Sequence, residues 1–362
     1  MKFKAKTNEL KKVLQQVTSI VVPFATTPII SNILFTLTGN NLELVSSDYA
    51  NMMVTSVEVE GEEDGQVVFD GKLLLNILKS TVEPEVLISQ NDDNIQLVLT
   101  TGVYDFPLFN PKDYPKLPVM DIADPIELKS TILIEAIKKT SHTISDDSST
   151  AIGYLLIRIE GMVIKFVSTI GHIVSEFVTS IASDKYVDLL VSKKSISALK
   201  PLLIGDTIKL VYNDNKILFQ TETTSFYCVL GTGAFVNYVP LIPQDFNDYM
   251  VIDRSLFLGT LNRLLVMANA QSRHIKLHVQ ADEMEIACRD NDYKRSASEK
   301  IAIINNGPCL TIGFDAKYLI DILSVYDSDS VKFKLVSNVR PGILRPDDND
   351  DYTVIIAPLN LP

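Results

Sequence analysis

The sequence predicts an α+β chain of three similar domains, each with two helices packed on antiparallel sheets. Three observations lead there: one helical phrase written three times, a second helical pattern written three times, and period-two apolar runs around them. The first phrase, Asp70-Gly71-Lys72-Leu73-Leu74-Leu75-Asn76-Ile77-Leu78, returns as Ser192-Lys193-Lys194-Ser195-Ile196-Ser197-Ala198-Leu199 and as Asp315-Ala316-Lys317-Tyr318-Leu319-Ile320-Asp321-Ile322-Leu323. The copies lie about one third of the chain apart, far beyond the roughly 20–50 residues of a stacked solenoid repeat. Whole domains are therefore repeated.

Taken in order, Leu10, Val13 and Leu14 in 8–17 mark one face of a helix, matched by Leu133, Ala136 and Ile137 in 131–140 and by Phe257, Thr260 and Leu261 in 255–264. Runs 86–90 and 95–99 flank the polar turn 91–94, and 208–212 and 217–220 flank Asn213-Asp214-Asn215, which makes two hairpins. In the third unit, 331–336 is expected to pair with 352–356. Within the repeated phrase Asp or Ser serves as N-cap, a lysine follows two residues on, and Leu74/Ile77, Ile196/Leu199 and Leu319/Ile322 supply the apolar face. Proline-rich stretches 106–118, 238–243 and 357–362 lack backbone donors and read as extended connectors. The domains expected are 1–121, 122–246 and 247–362.

A cation in the first turn opposes the helix macrodipole at a cost of about 0.3–1 kcal/mol. Lysine is a good helix former on any solvated face, but a helix start beside a lysine also attracts anions such as phosphate. Three copies in register, Lys72, Lys194 and Lys317, favour the second reading.

The formal charge is −12, hydrophobic residues make up 46%, and no uninterrupted apolar run of about 18 residues could span a membrane. Met1-Lys2-Phe3-Lys4-Ala5-Lys6 leads straight into a polar amphipathic helix, unlike a secretory leader. Cys228, Cys288 and Cys309 are odd in number without CxxC spacing, which speaks against a disulfide framework or a zinc site. A soluble, cytoplasmic chain without membrane association is expected. Although an acidic chain repels nucleic acid as a whole, its cations gather on the expected helices: Lys72, Lys79, Lys138, Lys139, Lys193, Lys194, Lys200, Arg254, Arg263 and Lys317. The acidic runs 60–64, Asp146-Asp147 and 347–351 fall in expected loops.

Catalytic patterns are missing. His274 and His278 alternate with Ile275, Leu277 and Val279, so they belong to a strand and carry no metal assignment; His142 and His172 stand alone. There is no HExxH, GxSxG or P-loop, and Gly231-Thr232-Gly233 precedes no helix that could receive a phosphate. The 347–351 run lacks the glycine and closing glutamate of an EF-hand. A hydrolase using His172 with Ser168 or Thr169 would have neither an acid nor an oxyanion element. No catalytic residue, metal or cofactor is assigned, and the chain reads as a non-enzyme.

Gln15-Gln16-Val17, Pro28-Ile29-Ile30-Ser31-Asn32-Ile33-Leu34-Phe35 and Leu42-Glu43-Leu44-Val45-Ser46-Ser47-Asp48-Tyr49 together resemble the start of the bacterial DNA polymerase III β subunit, the sliding-clamp family. Asp113-Tyr114-Pro115-Lys116-Leu117 resembles that family's first inter-domain connector, Thr169-Ile170-Gly171-His172 its Thr-Asp-Gly-His element, and Ala357-Pro358-Leu359-Asn360-Leu361 its apolar tail. The likeness runs along nearly the whole chain.

What the resemblance implies is the DNA clamp fold: a head-to-tail homodimer whose six domains close into a ring, with two helices per domain lining the hole. It further implies a processivity factor that encircles double-stranded DNA irrespective of sequence and tethers the DNA polymerase III α subunit, the clamp loader and other clamp-binding-motif proteins. The ten helical cations would then face DNA, where attraction to phosphates permits sliding. Partner peptides would enter an apolar cleft at Ile152, Thr169, Gly171, His172, Ile173, Val174, Val236, Leu241, Ala357, Pro358, Leu359 and Leu361. Tyr104 and Phe106 of one protomer would meet the helix 255–267, with Val266 and Met267, of the other.

The sequence departs from the family at informative points. The usual Thr-Asp-Gly-His-Arg-Leu reads Thr169-Ile170-Gly171-His172-Ile173-Val174, which removes a carboxylate and a guanidinium. Val236 and Pro240 stand where proline and arginine are common, Phe24 stands where a DNA-facing arginine is common, and Pro362 extends the tail. Such a cleft is expected to prefer more apolar peptides. The competing reading is a clamp-fold scaffold for protein interaction that no longer loads on DNA.

Overall fold

Period-two patterning produces strands along most of the chain, and the computed structural model pairs them antiparallel in four sheets. It describes every residue except 92–93, 122–123, 148–149, 204, 206, 243–244 and 361–362. By internal contacts the chain forms two units, Met1–Ile134 with Lys194–Gly231, and Glu135–Lys193 with Thr232–Pro362. Residues of the expected middle domain enter both.

In the first unit a five-stranded sheet runs in the order Glu60–Glu63, Lys2–Lys6, Glu85–Gln90, Asn94–Leu99, Gly102–Pro107. Its eight-stranded companion begins with Ile126–Lys129, continues through Thr207–Tyr212, Lys216–Gln220 and Thr224–Val229, and then takes up Asn51–Glu58, Asn41–Ser47, Ile33–Thr38 and Gly65–Phe69. The second unit holds a nine-stranded sheet from Tyr186–Ser192 to Ile304–Asn305, and a four-stranded one in the order Arg295–Ala302, Glu283–Asp290, His274–Val279, Leu310–Asp315. Each long sheet contains the same junction. Thr224–Val229 pairs with Asn51–Glu58, with Phe226 opposite Met53, and Tyr352–Ile356 pairs with Ile173–Ser180, with Val354 opposite Ser175. In both cases the last strand of one repeat completes the sheet of the repeat before it.

Six α-helices lie among the described residues: α1 (Thr7–Val17), α2 (Gly71–Ser80), α3 (Ser130–Thr140), α4 (Lys193–Leu199), α5 (Arg254–Met267) and α6 (Ala316–Val325). Apolar periodicity forms them. α1 buries Leu10, Val13, Leu14 and Val17, and α6 buries Leu319, Ile320, Ile322 and Leu323. In α2 the buried face is Leu74, Leu75 and Leu78, while Ile77 is only half-buried. Caps fix the starts: Asp70, Asp253 and Asp315 accept from the backbone N–H of Leu73 (2.8 Å), Leu256 (2.7 Å) and Lys317 (2.8 Å). No described helix is long and apolar enough to cross a membrane.

Three expectations need correction. The 331–336 run pairs with Gly342–Pro346, which in turn pairs with Tyr352–Ile356; the two apolar residues Ile343 and Leu344, followed by Arg345 and Pro346, are too short a run to announce a strand. The acidic run 60–64 contributes the exposed edge strand Glu60–Glu63 beside Lys2–Lys6, with Lys2 Nζ 2.6 Å from Glu62. Charge on an edge strand discourages further pairing. Two of the expected extended connectors hold 3-10 turns, Pro111–Asp113 within 106–118 and Val239–Leu241 within 238–243, of which residue 243 lies outside the described residues. The connector after Pro111 is anchored by Tyr114, whose hydroxyl donates to the carbonyls of Asn32 (3.0 Å) and Val45 (3.1 Å).

His142 lies in the turn Ser141–Thr143 with neither ring nitrogen bonded. Burial lowers its pKa to about 4, partly offset by the Asp321 carboxylate. Between an ordinary value of about 6.5 and that figure the unfolded chain binds a proton that the folded chain refuses, so stability falls as pH drops through this window. In urea titrations at pH 7 and pH 5, the parent should lose about 1–2 kcal/mol more than His142→Phe. Equal losses would contradict this account.

Candidate functional site

The capped helix starts change the meaning of the repeated lysines. Asp70 and Asp315 already satisfy first-turn N–H groups of α2 and α6, so neither helix start waits for an external anion. The lysines act as point charges instead. Lys72, Lys79 and Lys200 are exposed and pair with no carboxylate among the described residues. The others are engaged. Lys194 pairs with Asp48, whose carboxylate also accepts from the backbone N–H (2.6 Å) and side-chain amide (3.1 Å) of Asn51. Lys317 reaches Asp321 one turn on (2.6 Å), Lys193 reaches Asp146 (2.8 Å), Lys138 reaches Asp327 (2.7 Å), and Arg263 holds Glu299 through Nε (2.9 Å) and Nη2 (2.6 Å). Apart from Lys194, whose partner Asp48 has a buried side chain, these are exposed pairs worth about 0–1 kcal/mol, so a polyanion can compete for the cation. Arg254 is half-buried, and its guanidinium donates to the carbonyls of Ser328 (2.8 Å) and Leu323 (3.4 Å).

Lys139 departs from the expected surface role. It is 4% exposed, with Nζ 2.8 Å from Glu135, 3.4 Å from Asp351 and 4.4 Å from the centre of the Phe177 ring. Its carbonyl accepts from the Tyr352 hydroxyl at 2.6 Å. Helical phase separates it from the exposed Lys138: at 100° per residue the next position turns inward.

The apolar tail meets the Thr169–Val174 turn. Gly171 has φ +93, a left-handed backbone that suits glycine, and its N–H donates to Thr169 Oγ1 (3.0 Å), which itself donates to the Ile173 carbonyl (2.7 Å). Ala357 N–H donates to the His172 carbonyl, and Leu359 N–H donates to the Gly313 carbonyl, both at 2.8 Å. Ala357, Pro358 and Leu359 are thus laid beside His172 as a short strand-like strap. Sequence reasoning missed Tyr318 and Arg273: Tyr318 packs on the His172 ring (4.7 Å between centres), and Arg273 stands over Tyr318 while holding Asp315 at 2.6 Å. Tyr318 was legible as the residue after Lys317, but nothing in the sequence linked it to His172. Burial lowers the His172 pKa, and the Asp315 carboxylate opposes that shift.

The other cleft candidates divide by burial. Ile173 (1% exposed) and Val174 (6%) belong to the interior, Val174 within a cluster of Leu156, Val167, Leu190, Tyr238, Ile343 and Ile355. Thr169 is buried as well, while Val236, Leu241 and Leu359 are exposed. Ile152 lies on a separate turn, Ala151–Gly153, held by Ser145 N–H on its carbonyl (2.9 Å). Leu361 lies outside the described residues. Ser168 is committed to structure, donating to the Thr140 carbonyl at 2.8 Å.

Two sheet edges carry the remaining candidates, one in each unit. On Gly102–Pro107, Val103 and Tyr104 are exposed, but Phe106 is 1% exposed and lies 5.4 Å from the Phe69 ring, which removes it from any surface contact. Arg295–Ala302 is the edge of the four-stranded sheet; α5 packs against it, with Val266 exposed and Met267 half-buried at the helix end.

Two family models match the chain: the DNA polymerase III beta subunit N-terminal domain over residues 1–118 and its C-terminal domain over 240–360, together about two thirds of the sequence. The beta sliding clamps of Pseudomonas putida and Pseudomonas aeruginosa are each 26% identical over 369 residues, covering 100% of both sequences. The solved structure of the DNA polymerase III subunit beta from Pseudomonas aeruginosa superposes with a TM-score of 0.94 at 24% identity, and that from Thermotoga maritima with 0.94 at 18%, each covering 100% of both chains.

The contrast between Lys139 and Lys72 is measurable by thermal melting. Lys139→Glu places a third carboxylate beside Glu135 and Asp351 in a buried site and should cost about 3–5 kcal/mol. Lys72→Glu should leave the midpoint within a degree or two, because surface substitutions usually stay within about 0.5 kcal/mol. Similar melting of the two variants would refute the assignment.

Proposed function

Because the chain belongs to the DNA polymerase III beta subunit family, it is a DNA sliding clamp and not an enzyme, and we propose the surfaces through which it works. As a clamp it encircles double-stranded DNA as a homodimer and tethers the polymerase, the clamp loader and other clamp-binding-motif partners. Three repeats per chain, 1–121, 122–246 and 247–362, would supply six domains to the ring, in the cytoplasm.

Internal symmetry carries the reading of closure. Two junctions within the chain join the last strand of one repeat to the sheet of the repeat before it, and the first repeat's last strand, Gly102–Pro107, and the third repeat's Arg295–Ala302 are left as edges. The unpaired donors and acceptors of each edge match what the other lacks. Such a heterologous contact closes into a two-membered ring when its rotation allows. Transferring the register of the first junction, where Phe226 faces Met53, sets Tyr104 opposite Ala297 of the partner subunit. Both positions lie on the sheet face that is inward at the internal junction, which accounts for an exposed tyrosine at an otherwise core position. Val266 at the end of α5 would border the contact.

Lys72, Lys79 and Lys200, free of carboxylates among the described residues, would make the firmest phosphate contacts, with Lys138, Lys193, Arg263 and Lys317 exchanging weak ion pairs for phosphate and Lys194 held more firmly by the buried Asp48 side chain. Free cations on the helices favour this over a scaffold that no longer loads. For partner peptides we assign the surface around His172, Tyr318, Val236, Leu241 and Leu359, floored by Ile173 and Val174. With Ile170 and Ile173 in place of charged residues, apolar peptides should bind best.

Closure is tested in a Cys309→Ser background carrying Tyr104→Cys and Ala297→Cys, since directly opposed strand residues bring Cβ atoms within disulfide reach. Oxidation should give covalently linked dimers on denaturing gels. Monomer alone, with both thiols reactive, would refute the register. For the cleft, Leu359→Ala should weaken an apolar clamp-binding peptide roughly five- to thirtyfold in calorimetry while leaving the dimer intact. Unchanged affinity would move the partner site elsewhere.

A further inference from the structure

Phe24 and Tyr49 hold left-handed backbone, with φ of 55 and 71. Bulky side chains disfavour that region, and such strain persists where the surroundings enforce it. Neither ring gains by burial, since Phe24 is 101% exposed and Tyr49 62%. The loop that carries Phe24 is braced: Ser31 Oγ donates to the Val22 carbonyl (2.9 Å) and accepts from Ala25 N–H (3.1 Å), and Ile29 and Ile30 anchor it below. The ring is held out in water by structure.

Phe24 stands next to a repeated lysine. Phe24 shares an open trough of about 650 Å³ with Lys72, Val21, Pro23, Leu73 and Phe109. Tyr49 follows Asp48, the partner of Lys194, in a turn closed by Asn51. A free cation beside a solvated aromatic face combines a phosphate contact with a stacking surface. Duplex DNA can use only the first, because its base faces are already stacked on one another. An unpaired base can use both.

Resting on the clamp reading, we propose that Phe24 and Lys72 form a stacking platform for single-stranded DNA adjoining the encircled duplex. Lys72 neutralises a backbone phosphate while the Phe24 ring receives a base. The contact is sequence-tolerant, since every base offers a face to the ring.

Fluorescence anisotropy of the full-length protein with a labelled thymidine oligomer of roughly 16 nucleotides, and with a duplex of equal length, tests this. Phe24→Ala should weaken single-strand binding roughly five- to a hundredfold and leave duplex binding unchanged, whereas Phe24→Tyr should retain both. Lys72→Gln should weaken both forms. Phe24→Gly, which relieves the left-handed backbone, should melt no lower than the parent and show the same selective loss. If Phe24→Ala binds the oligomer as the parent does, or loses duplex and single strand equally, the platform is refuted and the clamp reading stands. If the parent itself binds neither form, the platform is refuted, while encirclement, which needs DNA without ends, is tested separately by retention on circular DNA.

Discussion

Everything in this molecule depends on how sheet edges are satisfied. A strand that ends a sheet leaves backbone donors and acceptors without partners, and two such junctions are closed within the chain by giving the last strand of one repeat to the sheet of the repeat before it. Triplication therefore leaves one edge of each kind over. A chain built this way either covers those edges or joins another copy. Here Gly102–Pro107 and Arg295–Ala302 are edges of their sheets, one with an exposed tyrosine, and closure by a second copy through them would follow the same hydrogen-bond accounting that builds the interior.

Electrostatics then decides what the closed form can hold. The chain is acidic overall, yet each copy of the helical phrase carries cations, and Lys138, Lys193, Arg263 and Lys317 are only lightly committed to surface carboxylates. A phosphate backbone would displace such partners cheaply, and contacts of this kind would be uniform along the duplex because no base edge is read. Lys139 illustrates the other possibility: wrapped by Glu135, Asp351, Phe177 and Tyr352, it contributes to folding. Two adjacent lysines on one helix thus belong to different parts of the physics.

Much of this was legible in the sequence. Helix repeats, caps and hairpins follow from local periodicity, so the six helices and the strands around the polar turns lie where the pattern puts them. The strand Gly342–Pro346 was hidden because glycine and proline bracket only two apolar residues and an arginine, and Glu60–Glu63 was hidden because an edge strand needs no apolar alternation. Burial of Lys139 and Phe106 escaped because both depend on tertiary neighbours, Phe177 and Tyr352 for one and Phe69 for the other. The packing of Tyr318 on His172 likewise joins residues far apart in sequence, a contact that no local pattern encodes.

The central claim is that topology, and not tight chemical affinity, keeps this protein on DNA. The most direct measurement is gel filtration of the protein loaded on nicked circular plasmid, followed by a single restriction cut. The account predicts co-elution with the circle at salt that screens phosphate contacts, and release once the DNA has ends. Equal retention on circular and linear DNA, or a stable monomer that is never retained, would contradict it.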